Sequence, residues 1–211
     1  MLSQEEAQQG FTLIEAVITV SLIATLLALG ISGSAKWTRD ARIRSMAESI
    51  QSGLQLARVE AVNRNALTRF QLVTGLDTSC ELSNSGGVWV VSMNDTEGKC
   101  NEPALTLGQT CSGGACIIQT SSGTAQGANT GISSTDSAII FNGLGTRSAI
   151  AGNTVSAVDI TITGGDNTSC VESRPLDAGA LRCLRVHVSP QGQIRLCDPA
   201  LTGDDPRSCP E

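Results

Sequence analysis

The stretch GFTLIEAVITVSLIATLLALGISGSA, residues 10–35, decides how this chain is organised. Its last twenty residues, Ala16 to Ala35, are uncharged and mostly apolar. As a helix this run is about 30 Å long, the thickness of the hydrocarbon core of a bilayer. A secretory signal peptide has a shorter apolar run followed by a small-residue cleavage site, whereas the helical pattern continues here. We therefore predict a membrane helix that is not removed.

Glu15 stands immediately before this uncharged run. A carboxylate near the bilayer centre costs about 2.5–3.5 kcal/mol, so its charge needs compensation there. One interpretation leaves Glu15 hydrated at the membrane surface. The other, which we favour, pairs it with a cation of another chain.

A second helical pattern follows the apolar run. Apolar residues recur at steps of three and four, as in an amphipathic helix that packs on a core; they are Ile43, Met46, Ile50, Leu54, Ala57 and Ala61. No proline precedes Pro103, so a nearly continuous helix from Phe11 to about Ala66 is permitted. We expect its first half to pack on other chains and its second half on the rest of its own chain.

All eight cysteines follow the apolar run: Cys80, Cys100, Cys111, Cys116, Cys170, Cys183, Cys197 and Cys209. An even number beyond a membrane segment is typical of an oxidising compartment, and no CxxC pair occurs. Because His187 is the only histidine, disulfides are favoured over a metal site. The pairing stays open, although Cys111 and Cys116 are close enough to close a small loop.

Charge is distributed unevenly around a formal net value of −6. Residues 36–69 carry seven basic and three acidic side chains, a balance of +4, whereas residues 70–211 carry seven and fourteen, a balance of −7. An acidic region repels a phosphate backbone on average. An aromatic content of 2% also leaves few surfaces on which bases or sugars could stack.

Strand-like runs follow the second helical pattern, at 69–73, 88–93, 138–142, 155–163, 181–188 and 193–197. The last two are joined by the turn Pro190-Gln191-Gly192 and predict a hairpin. We predict an antiparallel sheet with one face on the helix and the other partly solvated. Residues 108–137, rich in Gly, Ser, Thr, Ala and Gln, indicate a long surface loop, either a passive insertion or a contact surface.

The residues Gly10-Phe11-Thr12-Leu13-Ile14-Glu15 resemble the processing site of type IV prepilins. That resemblance implies cleavage after Gly10 by a membrane peptidase and methylation of the new amine of Phe11. It also implies that Glu15 pairs with the N-terminal amine of a neighbouring subunit. The leader MLSQEEAQQG lacks the basic residues usual in the family.

The run from Leu56 to Asn65, LARVEAVNRN, resembles the LARxEAxxRN signature of minor pilins and pseudopilins of the FimT, FimU and GspH group. Weaker resemblance extends to Gly87–Val91, Ile140–Gly145 and Val188–Cys197. In the FimT branch that binds DNA, the last segment carries Gly-Arg-x-Arg, whereas this chain has Gly192-Gln193-Ile194-Arg195. The lost arginine disfavours DNA, although a patch of Arg182, Arg185 and Arg195 could still form.

The sequence therefore predicts an α+β fold: a long N-terminal helix packed on an antiparallel, disulfide-bearing β-sheet head. We divide it into a leader (1–10), a membrane and filament-core helix (11–35), an amphipathic helix (36–67) and a head outside the cytoplasm (68–211).

The predicted function is that of a minor pilin that initiates or caps a pilus, with DNA uptake or a type II secretion pseudopilus as alternatives. Its expected partners are other minor pilins, the major pilin, the prepilin peptidase and, before assembly, the inner membrane, across which the head is periplasmic. No enzymatic activity, metal or cofactor is expected, because no nucleophile motif or phosphate loop occurs.

Overall fold

The computed structural model describes residues 11–30, 34–106, 108–121, 130–149, 154–164, 183–203 and 205–210. Gly10 and the rest of the predicted leader, Cys170 and Arg182 lie outside these ranges. The chain divides after Thr38 into two units, which are described separately.

Helix α1 spans Leu13–Gly30. Thr12 caps its N-terminus, because its hydroxyl accepts the N–H of Glu15 at 3.4 Å and its carbonyl accepts the N–H groups of Glu15 and Ala16. Over the described residues, no helix combines the length and the apolar character needed to cross a membrane. Residues 31–33, through which the predicted helix would continue, lie outside the described ranges.

Helix α2 spans Ser34–Arg64 and carries the predicted apolar stripe. All six stripe residues are buried, each at most 3% exposed. Asn65 ends the helix with a φ of 48°, in the left-handed region that Asn adopts more readily than most residues. The amphipathic-helix prediction is confirmed.

Within the described part of the head, nine strands form two antiparallel sheets: β1 (Thr68–Val73), β2 (Val88–Ser92), β3 (Ile117–Thr120), β4 (Thr130–Ser134), β5 (Ala138–Phe141), β6 (Arg147–Ser148), β7 (Val158–Gly164), β8 (Leu184–Val188) and β9 (Ile194–Cys197). The first sheet has the order β3-β2-β1-β5-β6, and the second has the order β4-β7-β8-β9. Strands β8 and β9 form the predicted hairpin, with His187 opposite Arg195.

The main core lies where the inner faces of both sheets meet the α2 stripe. From the first sheet it receives Phe70 and Trp89, whose ring centroids lie 5.7 Å apart. The close approach of α2 to the first sheet requires a small residue on the helix at this point, because a Cβ added at Gly53 would lie 2.9 Å from the Phe70 ring. The helix-on-sheet prediction is confirmed.

The first sheet also has a buried outer face, which differs from the expectation of a partly solvated one. Its second core contains Val73, Cys80, Val88, Val90, Cys100, Ala115 and Ile117. The segments between β1 and β3 cover this face and include the disulfide Cys80–Cys100. Burial of Gln71 in this layer is offset because its Nε2 donates to Asp95 at 2.9 Å and its Oε1 accepts from Ser92 and Thr96.

The prediction of one long loop over residues 108–137 is wrong in part. Strands β3 and β4 both lie in that region. Ile117 anchors β3 in the second core, and Ile132 anchors β4 in the main core. One buried isoleucine in each strand is enough to hold it on the core, because each strand lies at the edge of its sheet and buries little else.

We predict that Leu54→Ala lowers the free energy of unfolding by about 2–5 kcal/mol, because a fully buried leucine leaves a cavity. The neighbouring Gln55→Ala change, on the exposed side of α2, is the control and is expected to change it by less than about 0.5 kcal/mol. Denaturant titration of the detergent-solubilised protein measures both values. Equal stabilities would contradict the assignment of the buried stripe.

Candidate functional site

The apolar side chains from Phe11 to Leu26 are uncovered. From Phe11 to Leu26, eight large apolar residues besides Phe11 itself are each more than half exposed: Leu13, Ile14, Val17, Ile18, Val20, Leu22, Ile23 and Leu26. A helix that is apolar all round belongs in a membrane or in the core of a larger assembly. We therefore expect this segment to be covered by lipid or by other protein chains.

The hydroxyl groups of α1 are satisfied within the helix. Thr19 donates to the Ala16 carbonyl at 2.9 Å, and Ser21 donates to the Val17 carbonyl at 2.8 Å. Thr25 donates to carbonyls of the preceding turn at 2.8 and 2.9 Å. Such bonds let these residues enter apolar surroundings without an unpaired donor.

Glu15 differs from these hydroxyl residues. Its side chain lies exposed in the first turn of α1, and no group in the described part of the chain pairs with it. The partial positive charge at a helix N-terminus favours a carboxylate there, but only by about 0.3–1 kcal/mol. The carboxylate therefore remains available to a cation from outside the described chain.

The LARVEAVNRN run lies at the C-terminal end of α2. Glu60 and Arg64 form the predicted i,i+4 pair, at 2.7 Å. Arg58 reaches in another direction, and its Nε donates to the carbonyl of Gly145 at 3.0 Å. The run is structural, because it terminates α2 and binds it to a distant loop.

Two of the three head segments that resemble the family, Ile140–Gly145 and Val188–Cys197, meet at this helix end. A Cβ added at Gly143 would collide with Asn65, and one added at Gly192 would collide with the carbonyl of Gly145. Gly192 has a φ of 81°, which glycine adopts without strain. The end of α2, the β5–β6 loop and the β8–β9 turn thus form one tightly packed junction.

Arg147, which the sequence analysis did not single out, connects the two sheets beside this junction. Its backbone N–H donates to the Pro190 carbonyl at 3.1 Å, and its Nη1 donates to the Ser156 carbonyl. Its Nη2 lies 3.6 Å from Asp136 Oδ2. Burial lowers the pKa of the Arg147 guanidinium and Asp136 partly offsets this, but an arginine remains charged. No sequence signal distinguishes it from a surface arginine.

Two members of the predicted basic patch share one face of the second sheet, and Arg182 lies outside the described ranges. Arg185 and Arg195 are on adjacent strands, and the side chains opposite them in the register are those of Cys197 and His187. Asp159, on β7, lies on the same face. Its Oδ1 is 2.7 Å from His187 Nδ1 and its Oδ2 is 3.8 Å from Arg185.

The basic patch is therefore partly neutralised. Asp159 opposes the charge of Arg185, and Arg195 donates to the Pro206 carbonyl at 3.2 Å. Arg207, farther along the C-terminal segment, forms a two-fold pair with Asp205, which raises the pKa of the guanidinium. A phosphate backbone needs several unpaired cations, and this face offers few among the described residues.

The cysteines pair as Cys80–Cys100, Cys111–Cys116 and Cys197–Cys209, and Cys183 is also disulfide-bonded. The predicted small loop closed by Cys111 and Cys116 is confirmed. Over the described ranges, no group of three His, Cys, Asp or Glu residues is placed to hold a metal ion.

Comparison with known proteins gives two family matches. A family model described as "Type II transport protein GspH" matches residues 46–192, and one described as "Prokaryotic N-terminal methylation motif" matches residues 7–31. No curated protein shows a significant match. Two crystal forms of the type IV minor pilin FimU of Pseudomonas aeruginosa are similar at 17% identity, with TM-scores of 0.44 and 0.46. The matches cover 72% and 76% of this chain and 90% and 91% of theirs.

Arg147→Ala is expected to lower the free energy of unfolding by about 1–3 kcal/mol, because truncation of this buried side chain removes its packing between the sheets and its hydrogen bond to the Ser156 carbonyl. Arg207→Ala is the matched control, since it removes an exposed pair of little consequence for stability. Thermal and denaturant unfolding of both variants measure the difference. Indistinguishable unfolding curves would contradict the bridging role of Arg147.

Proposed function

Because the chain belongs to the GspH family of pilin-like proteins, we propose that it is a minor type IV pilin that helps to initiate or cap a pilus. Contacts with other minor pilins and with the major pilin carry this role. The head supplies a rigid body, and α1 supplies the segment that neighbouring subunits cover in the filament. No catalytic step is part of the proposal.

The exposed apolar surface of α1 is the observation that carries the proposal. Nine large apolar side chains between residues 11 and 26 are more than half exposed. Each such side chain gains about 1.5–3 kcal/mol on burial, so a bundle of these helices is strongly favoured over exposure to water. Before assembly, the inner membrane covers the same surface, in the predicted segment 11–35.

Processing and pairing at the N-terminus follow from the same proposal. The methylation motif that matches residues 7–31 supports cleavage after Gly10 and methylation of Phe11 by the prepilin peptidase. Glu15 then accepts the N-terminal amine of a neighbouring subunit as its partner. Its pairing offsets the cost of burying a carboxylate among apolar helices.

Disulfides support a head that is periplasmic before assembly and extracellular in the pilus. Such bonds form and persist in oxidising compartments. Three of them are described within the head: Cys80–Cys100 joins the β1–β2 segment to the β2–β3 segment, Cys111–Cys116 lies within the β2–β3 segment, and Cys197–Cys209 joins the end of β9 to the C-terminal segment.

DNA uptake is less well supported. Asp159 lies within ion-pair distance of Arg185, and Gln193 stands where the DNA-binding branch has an arginine. A type II secretion pseudopilus remains the second candidate, because the matching family model is described as a type II transport protein. Co-purified subunits distinguish the two systems, since pilus and secretion filaments contain different major subunits.

Glu15→Ala is expected to reduce the amount of this protein in sheared filaments at least tenfold, which corresponds to about 1.4 kcal/mol of lost assembly free energy. The physical reason is the loss of the partner of the neighbouring N-terminal amine. Quantitative immunoblotting of sheared filaments and of membranes measures the distribution.

Thr19→Ala is the control for this experiment. Its hydroxyl bonds only to the backbone of its own helix, so this variant should assemble like the wild type. Both variants should be present in membranes at wild-type levels. Wild-type incorporation of Glu15→Ala would contradict the pairing role of Glu15.

A further inference from the structure

A large apolar side chain projects from the loop between β5 and β6. Leu144 is 84% exposed, although it lies beside the tightly packed junction at the end of α2. The loop rests on the outer side of α2, because a Cβ added at Gly145 would lie 3.1 Å from Val62 Cγ2. Val62 and Val59, one turn apart on that helix, are 48% and 53% exposed. We call Val59, Val62 and Leu144 the apolar tip patch.

Hydrogen bonds hold the loop in one conformation. Asn142 Oδ1 accepts the N–H groups of Leu144 and Thr146 at 3.0 and 3.2 Å. The backbone N–H of Asn142 donates to the Thr146 carbonyl at 3.0 Å, and that of Gly145 donates to the Asn142 carbonyl at 2.8 Å. Arg58 completes the set by donating to the Gly145 carbonyl from α2. Leu144 is thus presented on a rigid support.

The exposed side chain of Leu144 contributes little to the stability of its own subunit. Its side chain is almost fully in water, so it adds almost nothing to the core. In an interface the same arrangement is favourable, because a side chain on an ordered loop loses little conformational freedom on binding. Full burial of the leucine side chain against a partner contributes about 1.5–3 kcal/mol.

Charge indicates what kind of surface covers the patch. Arg58 is exposed beside it, and only its Nε has an acceptor in the described part of the chain. Residues 36–69, which include α2 beyond its first residues, have a charge balance of +4, whereas residues 70–211 have a balance of −7. Most of the excess lies in residues 36–44, far from the patch, and Glu60 pairs with Arg64. Arg58 is thus the cation beside the patch without a carboxylate partner among the described residues, and an acidic head such as the one that this chain carries is complementary to it.

We propose that the apolar tip patch docks on an apolar surface, bordered by carboxylates, on the head of a neighbouring filament subunit. One of those carboxylates accepts the free edge of the Arg58 guanidinium. This inference rests on the proposed function and specifies where the head, as opposed to α1, contacts its neighbour.

A photo-crosslinking amino acid at position 144 of the full-length protein tests the contact directly in cells. We expect an adduct with another pilin subunit, identified by mass spectrometry, and none from the same amino acid at Thr202, which is exposed in the C-terminal segment. An adduct only with a non-pilin protein, or none in cells whose sheared filaments contain this protein, would overturn the inference.

Leu144→Glu supplies an independent measurement. It places a carboxylate against the acidic partner and is expected to deplete the protein from filaments at least tenfold, with unchanged thermal unfolding. Thr202→Glu, which introduces the same carboxylate at an exposed residue of the C-terminal segment, should assemble like the wild type. Wild-type incorporation of Leu144→Glu would refute the docking site alone, whereas absence of the wild-type protein from filaments would refute the proposed function.

Discussion

Burial of one stripe of α2 beneath two sheets is the constraint on which the head depends. Ile43, Met46, Ile50, Leu54, Ala57 and Ala61 contribute to a single core with the inner faces of both sheets. The last two residues of the stripe, Ala57 and Ala61, are smaller than those before them and are fully buried. Gly53 leaves room on α2 for the rings of Phe70 and Trp89. The junction between helix, loop and turn can form only because this contact fixes where α2 ends.

The burial of this stripe distinguishes the residues that stabilise the head from those that remain exposed for contacts with other chains. The inner side of α2 and the residues of the junction stabilise the head. The signature run from Leu56 to Asn65 therefore has a structural explanation in this protein. Among the described residues, large apolar side chains are uncovered from Phe11 to Leu26 and in the apolar tip patch, besides others such as Trp37 and Leu67, and the carboxylate of Glu15 is exposed as well. Both uncovered surfaces are apolar, and both are suited to contacts made only in an assembly.

Periodicity in the sequence predicted the parts of the fold that repeat locally: the stripe of α2, the β8–β9 hairpin and the pair of Glu60 with Arg64. It did not predict the second core, because the segments that cover the first sheet are held by the disulfide Cys80–Cys100 and by buried polar residues such as Gln71. Arg147 and Asp159 were missed for a related reason. Their partners lie on other strands or loops, and a single charged residue in a strand carries no signal of a partner distant in sequence.

The pairing proposed for Glu15 depends on the chain beginning at Phe11 once it is in the filament, since only then does each subunit carry a free amine at the start of its apolar helix for the Glu15 of a neighbour. Mass spectrometry of the N-terminal peptide, from protein isolated from sheared filaments, tests this most directly. The account predicts a peptide that begins with methylated Phe11. A peptide that begins at Met1, or one that begins after the apolar run near Ala35, would contradict it.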